Sequence, residues 1–330
     1  MIEGFAFARA GLLGNPSDGY FGKVIAVSIK NFRARVALED SPDMRIVPSA
    51  DEEERYGSLS EFAEKVRLYG YYGSVRLIKA ALKKFYEYAL SSGVVLPRKN
   101  FSIRFTSDIP RQIGLGGSSA IITATMRALM KFYELSIPLE AQPGLILGAE
   151  RDELDINAGL QDRVTQVYEG CLYMDFDRDL LRDRGYGRYE RLGAALLPPM
   201  YLAYNLALGK VSGRVLNEIR VKVDRGDPFT LETLKKLAGL ADQGRAAILE
   251  QDHDRLSRLI NENFDLRRSI MTIHPANQEM IDTARGCGAS AHFAGSGGSI
   301  LGTFKDEVMF ERLLEELGRS GAILVKPIVQ

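Results

Sequence analysis

This sequence has little of what would direct a protein to a membrane, a structural metal or a nucleic acid. Its 330 residues include only two cysteines, Cys171 and Cys287, which lie far apart without metal-ligand spacing, so we expect structural thiols in a reducing compartment. The 43 basic residues balance the 43 acidic residues, which excludes a general attraction to nucleic acid or anionic membranes. No apolar run is long enough for a bilayer, and the N-terminus lacks a signal-peptide pattern. We therefore expect a cytoplasmic protein without nucleic-acid or membrane partners.

The hydrophobic pattern predicts an α+β protein with two closely joined domains. Hydrophobic residues make up 45% of the chain, enough for a substantial core. Alternating apolar residues in KVIAVSIKNFRARVAL (23–38) predict two strands, and we expect a hairpin turn at Lys30-Asn31. An apolar stripe at helical spacing predicts a helix that ends at Gly93. The charged, Arg- and Gly-rich stretch 177–198 is the expected position of the domain junction.

The most informative stretch is PRQIGLGGSSA, residues 110–120, which lies between a predicted strand and a predicted helix. Glycines allow another group to approach the backbone closely, and the first amides of a helix have no intrahelical partner. The helix dipole adds partial positive charge at the same place, so an anion, most often a phosphate, would bind there. By itself, such a segment is more often a tight turn capped by its serines.

Two further glycine-rich turns accompany this segment. ARAGLLGNPSDGY (8–20) places Arg9 at the end of the first predicted strand, before a polar turn. AHFAGSGGSILGTF (291–304) places another glycine turn between two predicted strands near the C-terminus. Each turn alone could be a tight hairpin, but the three segments in this order are far more specific.

Together the three segments resemble the motifs of the GHMP kinases, the family of galactokinase, homoserine kinase, mevalonate kinase and phosphomevalonate kinase. The first motif is matched by Arg9, Leu12 and Gly14, although Asn15-Pro16 replaces the family's frequent Glu-His. The positions that match the second motif are Pro110, Gly114, Leu115, Gly116, Gly117, Ser118, Ser119 and Ala120, and those that match the third are Gly295, Ser296, Gly297 and Gly298. The second motif is the most specific. Neither a Walker lysine nor a protein-kinase signature is present in the sequence.

The resemblance implies the family's fold and its nucleotide. The expected fold is a two-domain α+β arrangement with the active site in the interdomain cleft, residues 1–195 forming the N-terminal domain and residues 196–330 the C-terminal domain. The expected phosphoryl donor is ATP, bound by the matched residues of the second motif. Its phosphates should lie on the amides of residues 114–119.

The resemblance also implies Mg²⁺ and a set of catalytic residues. Phosphoryl transfer needs Mg²⁺ to neutralise phosphate charge and a group that positions or deprotonates the acceptor hydroxyl. Mg²⁺ takes one or two protein oxygens, and the family pattern makes Ser119 and Glu150 its ligands, with Ser118 as the second choice of serine. Asp162, in a Gly-x-x-Asp segment, is then the base. Arg9 would steady the charge of Asp162 and of the transferring phosphoryl group.

Within the family, the likeness is closest to the branch that phosphorylates the anomeric hydroxyl of D-glucuronic acid, in segments such as GLLGNPSDGYFGK and AGLQDRVTQVYEG. A buried sugar carboxylate calls for a bidentate guanidinium, and Arg111 and Arg163 are the first candidates, followed by Arg76 and Arg267. The other residues expected at the substrate are Asp18, Tyr20, Gly295, Ser296 and Gly297.

Two other interpretations stay open at this point. A kinase for another sugar, such as a heptose, galactose or fucose, would keep the same nucleotide site, whereas a mevalonate-pathway enzyme would go with a different first-motif turn. A non-catalytic sensor of nucleotide or sugar would have no need for Arg9, Ser119, Glu150 and Asp162 together. The sequence carries no pattern that sets the oligomeric state.

The remaining polar residues are expected to be structural or solvated. The acidic DEEER at 51–55 is typical of a solvated loop, and NEIRVKVDRGD (217–227) of a solvated helix face. The pair Arg267-Arg268 could face a substrate, although such a pair is more often exposed. Surface or capping roles are expected for the three histidines, which lack metal-ligand spacing: His253, His274 and His292.

Overall fold

The computed structural model describes residues 1–47, 74–209 and 212–329. The acidic segment 51–55 lies outside the described residues. The strands of the described residues are β1 (Ile2–Leu13), β2 (Lys23–Ser41), β3 (Arg45–Ile46), β4 (Asn100–Ser107), β5 (Cys171–Asp175), β6 (Arg188–Leu192), β7 (Met200–Tyr204), β8 (His292–Phe293), β9 (Ser299–Thr303) and β10 (Ile323–Val325). The helices are α1 (Ser74–Ser91), α2 (Gly117–Tyr133), α3 (Gln142–Leu154), α4 (Gln161–Tyr168), α5 (Arg178–Arg184), α6 (Ser212–Asp224), α7 (Pro228–Leu249), α8 (His253–Ile270), α9 (Pro275–Gly286) and α10 (Glu307–Arg319).

The N-terminal half is built on a six-stranded sheet in the order β3-β4-β2-β5-β6, with β1 paired antiparallel along β2. Helix α2 packs so closely on β1 that a Cβ on Gly4 would lie 2.1 Å from the carbonyl oxygen of Ala124. The loop before α2 is held to the same strand, because the Arg9 amide donates to the carbonyl of Leu115 (3.0 Å). These contacts fix the N-terminus of α2 next to Arg9.

The hairpin predicted at Lys30-Asn31 is wrong, because the two segments form one continuous strand, β2. The pairing with β1 shifts register at this point, and the extra residues of β2 bulge out. The Asn31 side chain donates to the carbonyl of Lys326 (3.1 Å) and accepts from the amide of Ile328 (2.8 Å). The polar pair therefore binds the C-terminal segment instead of reversing the chain. A tight two-residue turn would also favour a glycine, which is missing here.

The C-terminal half contains a four-stranded antiparallel sheet in the order β10-β7-β9-β8. The last strand of the first sheet ends at Leu192 and the first strand of the second sheet begins at Met200. The two halves share a hydrophobic core, in which α7 packs against β1 and β2. At that contact a Cβ on Gly244 would lie 2.0 Å from Leu13 Cδ1, so only glycine fits without rearrangement.

The two cysteines and the lengths of the helices bear on the expectations from composition. Cys171 and Cys287 are buried with free thiols, and burial raises the pKa of the Cys171 thiol to about 12. Within the described part of the chain, no helix is long and apolar enough to cross a membrane.

Candidate active site

The loop between β4 and α2 leaves the beginning of a helix uncovered. Gly114 and Gly116 have φ values of +75° and +70°, a left-handed conformation that glycine adopts without strain. Helix α2 begins at Gly117, and the amide of Ala120 makes the first backbone hydrogen bond of its opening turn, to the carbonyl of Gly116 (3.0 Å). The amides before Ala120 point out of the helix end with its dipole, which suits a phosphate.

The second and third glycine segments contact each other directly. A Cβ on Gly295 would lie 2.0 Å from the carbonyl oxygen of Gly114, and a Cβ on Gly114 would lie 2.7 Å from the amide nitrogen of Ser296. A side chain at either glycine would therefore collide with the opposite backbone. The Ser299 hydroxyl joins the loops further by donating to the carbonyl of Ile113 (2.6 Å). Segments far apart in sequence thus form one continuous surface.

Arg9 and Asp162 form an ion pair at the rim of this surface. Arg9 Nη2 lies 2.6 Å from Asp162 Oδ1, and Arg9 Nη1 donates to the carbonyl of Ala294 (2.7 Å). The Asp162 side chain, in the first turn of α4, is still 20% exposed. Burial raises its pKa, but the charges of Arg9 and Arg163 outweigh burial and hold the pKa of Asp162 below its usual range. A Cβ on Gly116 would lie 3.4 Å from Asp162 Oδ2, so this carboxylate is beside residues 114–119, which we call the phosphate loop after their predicted ligand.

Glu150 belongs to a second arginine–carboxylate pair, which is fully buried. Its Oε2 accepts a hydrogen bond from Arg163 Nε (2.6 Å), and Arg163 Nη2 donates to the same oxygen. Its Oε1 accepts from the Ser118 hydroxyl (2.7 Å). The Ser119 hydroxyl donates instead to the carbonyl of Gly116 (3.0 Å). The structure therefore joins Glu150 to Ser118, the second choice of the sequence, and not to Ser119.

These contacts use the guanidinium donors of Arg163 inside the protein. Its Nη1 donates to the carbonyl of Gly159 (2.8 Å) and lies 3.7 Å from Asp162 Oδ2. Burial lowers its pKa, but the charges of Glu150 and Asp162 outweigh burial and hold the pKa of Arg163 above its usual range. The structure thus places Arg163 between two carboxylates of the chain itself, and its predicted contact with an acceptor stays a prediction.

Asp18 belongs to the short helical turn Ser17–Tyr20, and its carboxylate is close enough to Asp162 for the two charges to interact. Its Oδ2 accepts a hydrogen bond from the amide of Gln161 (3.3 Å), and a Cβ on Gly159 would lie 2.3 Å from the same oxygen. Burial and, second, the negative charge of Asp162 raise the pKa of Asp18 to about 6. The polar turn of the first motif therefore reaches the predicted base.

Arg220 was not expected near the site, since it lies in the segment predicted to be a solvated helix face. Its guanidinium lies 5.6 Å from the centroid of the Tyr20 ring. Arg220 is half-buried, and its Nε is buried without a hydrogen-bond partner among the described residues. No local pattern marks this residue, because basic and apolar residues alternate around it.

Two glutamines on α4 were also missed. Gln166 Nε2 donates to the carbonyl of Gly116 (2.7 Å) and so supports the phosphate loop. Both polar side-chain atoms of Gln161 are buried and have no partner in the described ranges. Both residues lie in AGLQDRVTQVYEG, one of the segments that carried the family resemblance, and that was the signal that could have found them.

The other predicted residues are placed as follows. Leu115 and Ala120 are buried, so they can contribute to nucleotide binding only through their backbone. Pro110 is half-buried and Arg111 is exposed, at the outer end of the loop. Gly297 packs on the Asn277 side chain, which accepts a hydrogen bond from the amide of the next residue, Gly298 (3.0 Å).

The arginine pair and the histidines divide between the interior and the surface. Arg267 is fully buried, whereas its neighbour Arg268 is exposed. His253 is exposed and His274 caps α9 by accepting from the amide of Ala276 (3.3 Å), as expected. The surface or capping role expected for His292 is wrong: its ring is buried, and burial followed by the charge of Arg267 lowers its pKa to about 3.

Comparison with known proteins decides the family. The chain matches the GHMP kinases N terminal domain over residues 76–170 and the GHMP kinases C terminal domain over residues 245–323. It is 42% identical over 335 residues to probable glucuronokinase 2 of Arabidopsis thaliana, covering 99% of this chain and 91% of that protein. The chain belongs to the GHMP kinase family. Glucuronokinase 1 of the same organism is 39% identical over 333 residues, with the same two coverages of 99% and 91%.

The structure has the GHMP kinase fold. The crystal structure of Methanococcus jannaschii mevalonate kinase matches it with a TM-score of 0.75 at 18% identity, covering 99% of this chain and 98% of that chain. At this identity the likeness concerns the fold alone. The family resemblance and the two-domain α+β fold predicted from the three glycine segments are thus confirmed.

Proposed function

We propose that this GHMP kinase transfers the γ-phosphoryl group of ATP to the anomeric hydroxyl of D-glucuronate, giving glucuronate 1-phosphate and ADP. The observation that carries the reaction type is the Arg9–Asp162 ion pair (2.6 Å) beside the uncovered N-terminus of α2. Phosphoryl transfer requires a phosphate cradle and a group for the acceptor hydroxyl in one place. The choice of glucuronate is supported by the two Arabidopsis relatives, which are named glucuronokinases and align along almost the whole chain.

In this proposal Asp162 acts on the acceptor hydroxyl through Oδ2. Arg9 occupies Oδ1, whereas Oδ2 faces the phosphate loop at Gly116. Oδ2 would accept the hydroxyl proton as the oxygen bonds to phosphorus. Because the neighbouring arginines keep the pKa of Asp162 low, orientation of the hydroxyl is as important here as basicity. Arg9 would also stabilise the charge on the phosphoryl group in transfer.

The residues at the loop fit Mg²⁺ as the cofactor. Ser118 Oγ and Glu150 Oε1, which are 2.7 Å apart, are a hydroxyl and a carboxylate oxygen, the kind of ligands that Mg²⁺ takes alongside phosphate oxygens and water. Bound there, Mg²⁺ would neutralise charge on the transferring phosphates. Ser118 replaces Ser119 in this proposal because the Ser119 hydroxyl bonds back to Gly116 (3.0 Å). Arg163 orients the Glu150 carboxylate from the other side.

We further propose that the acceptor lies among Asp18, Tyr20 and the 295–297 turn, between domains that divide near residue 195. The boundary is supported by the change of sheet between Leu192 and Met200. Asp18 can accept hydrogen bonds from sugar hydroxyls, and the Tyr20 ring offers a face for the sugar. The two free, buried thiols support a reducing compartment such as the cytoplasm.

An acceptor screen tests the proposed function. ADP release would be measured for the purified chain with D-glucuronate, D-galacturonate, D-glucose, D-galactose and mevalonate, with Asp162→Asn as the inactive control. We expect the highest kcat/KM for D-glucuronate, and a product whose phosphate is on the anomeric oxygen by ³¹P NMR. A higher kcat/KM for a neutral sugar or for mevalonate would contradict the substrate. Binding of ATP and glucuronate without any turnover would indicate a sensor instead.

A further inference from the structure

A sugar carboxylate needs a cation, and the structure narrows the choice of arginine. Arg9 and Arg163 are each committed to a carboxylate of the chain itself. Arg111 is exposed, and Arg76 already has an interaction partner. Among the side chains that the structure describes, the buried or half-buried candidates that remain are Arg220 and Arg267.

Arg267 is a buried charge without an acidic partner among the described residues. Its Nη2 donates to the carbonyl of Gly295 (2.9 Å) and its Nη1 to that of Phe293 (3.4 Å), while its Nε is buried without an acceptor. A buried charge is costly unless it is paired. Burial lowers the pKa of Arg267 to about 10, and the next contributions come from Asp18 and Arg9. Arg9 Nη1 donates to the carbonyl of Ala294, which lies between the two carbonyls that Arg267 binds, so both arginines contact the same turn.

The Gln161 amide is a second uncompensated group at the same place. Gln161 is 1% exposed, and both its Nε2 and its Oε1 lack partners among the described residues. The Cβ position on Gly11 lies 2.9 Å from Gln161 Nε2 and 3.3 Å from the Ala294 carbonyl oxygen. Arg267 donates to the carbonyls on either side of Ala294. Arg267 and Gln161 thus both lie at the contact between Gly11 and the 293–295 turn.

We propose that Arg267, assisted by the Gln161 amide, binds the carboxylate of the sugar acid at the floor of the acceptor site. This assignment rests on the proposed function. The carboxylate would accept hydrogen bonds from Arg267 Nε and Gln161 Nε2, the donors that the fold leaves without acceptors. In a uronic acid the anomeric carbon and the carbon that carries the carboxylate flank the same ring oxygen. A sugar whose anomeric hydroxyl is at Asp162 therefore has its carboxylate a short distance away, on the far side of the ring oxygen.

Arg220 is the weaker candidate, because it is only half-buried and its guanidinium lies 5.6 Å from the centroid of the Tyr20 ring. In this assignment Arg220 holds the aromatic wall of the site, and Arg267 discriminates between an acid and a neutral sugar. A neutral acceptor would leave the buried guanidinium unpaired.

The test compares D-glucuronate with D-glucuronamide, its uncharged isostere, in steady-state kinetics. The variants are Arg267→Lys, Gln161→Leu and the competing Arg220→Lys, and the exposed neighbour Arg268→Lys is the matched control. For Arg267→Lys we expect kcat/KM for glucuronate to fall by about 30-fold or more, mostly through KM, because a desolvated charge pair is disrupted. The values for glucuronamide and the KM for ATP should change by less than about twofold. Gln161→Leu should show the same selectivity with a smaller loss, of about fivefold for one neutral hydrogen bond.

The outcomes separate this inference from the proposed function. If the wild type does not use glucuronate, the proposed function fails and this assignment fails with it. If the wild type uses glucuronate but Arg267→Lys keeps its preference for the acid, only this assignment is wrong. Equal losses of kcat/KM on both acceptors would show that Arg267 merely holds the 293–295 backbone. A loss selective for glucuronate in Arg220→Lys alone would assign the substrate carboxylate to Arg220. If Arg267→Lys loses its cooperative thermal transition, Gln161→Leu decides, and unchanged selectivity in it overturns the assignment.

Discussion

The two arginine–carboxylate pairs of the site are built from the same chemical groups and leave different atoms free. In the Arg9–Asp162 pair one carboxylate oxygen is held at 2.6 Å, and the side chain is still 20% exposed. In the Arg163–Glu150 pair both oxygens of the Glu150 carboxylate accept hydrogen bonds, and Glu150 is 0% exposed. Asp162 therefore keeps one oxygen for the ligand that we propose, whereas both oxygens of Glu150 already accept hydrogen bonds from the protein. Which lone pairs the neighbours occupy decides the role of each carboxylate.

Helix α4 separates the pairs although it carries a member of both. Asp162 and Arg163 are consecutive residues, yet Asp162 turns to Arg9 on β1 and Arg163 turns to Glu150 on α3. Arg163 Nη1 still lies 3.7 Å from Asp162 Oδ2, which couples the two pairs electrostatically. We therefore expect substitution of Asp162 to act mainly on catalysis, and removal of Arg163 to act on stability and also on the proposed Mg²⁺ site through Glu150.

Asp162→Asn should have the largest effect, on catalysis. The amide keeps the size of the carboxylate but neither accepts a proton nor carries the charge that orients the hydroxyl. We expect kcat to fall by about 10²–10⁴-fold with little change in ATP binding. Stopped-time assays and nucleotide titration measure the two quantities. A kcat within about threefold of the wild type would remove Asp162 from the mechanism.

Arg163→Met should have the largest effect on stability. It leaves the Glu150 carboxylate buried without its cation, which costs about 3–5 kcal/mol of the free energy of unfolding. Urea denaturation measures this quantity, with the exposed Arg268→Met as the control, for which a change within about 0.5 kcal/mol is expected. The double variant Arg163→Met, Glu150→Gln should recover part of the loss. A single-variant loss no larger than that of the control would contradict the structural role of this pair.

Asp18 is a third carboxylate of the site and lies near the Arg9–Asp162 pair. Its effect can be measured through the pH dependence of the free energy of unfolding. Its folded-state pKa of about 6 lies above the usual 3.8, so the folded protein favours protonated Asp18. Its contribution to the free energy of unfolding is therefore full below about pH 4 and is lost as the pH rises through about 6, by at most about 3 kcal/mol.

Urea unfolding of the wild type and Asp18→Asn at about pH 4.5 and about pH 7 measures this effect. The variant should gain stability relative to the wild type as the pH rises, because it buries no charge. In Asp162→Asn the same dependence should weaken, since the charge of Asp162 is the second cause of the raised pKa. Parallel pH profiles for the wild type and Asp18→Asn would show that Asp18 is ionised normally.

Substitutions of the two serines should have the smallest effect on activity, and they test the hydrogen bond between Ser118 and Glu150. Ser118→Ala removes the hydroxyl that bonds Glu150, and we expect about a tenfold higher requirement for Mg²⁺ in turnover. Ser119→Ala removes only a bond to the Gly116 carbonyl within the loop, so its Mg²⁺ dependence should stay close to that of the wild type. Initial rates at limiting Mg²⁺ compare the two variants. The reverse order of effects would restore Ser119 as the metal ligand.

The sequence by itself determined the family and the fold, and it predicted the loop before α2 as the phosphate site. The eleven residues 110–120 would bind phosphate through their backbone, because the glycines and the helix N-terminus are contiguous in the chain. Such a feature is local, so it can be predicted without knowing the tertiary contacts. The same holds for the apolar alternation of the strands, which is imposed by the period of the backbone. The prediction of a hairpin at Lys30-Asn31 was wrong because the Asn31 side chain hydrogen-bonds to the C-terminal segment, which is distant in sequence.

Only the tertiary structure decided which polar side chain meets which. Ser118 and Ser119 are adjacent and chemically identical, and the rotation of about 100° between consecutive helix residues directs only the first of them to Glu150. Arg267 and Arg268 likewise differ in the face of α8 on which they lie, and one is buried while the other is exposed. Burial and partner choice depend on residues that are distant in sequence, such as Asp162 for Arg9. A local pattern contains no information about such contacts, because they arise only when the two sheets and their helices pack together.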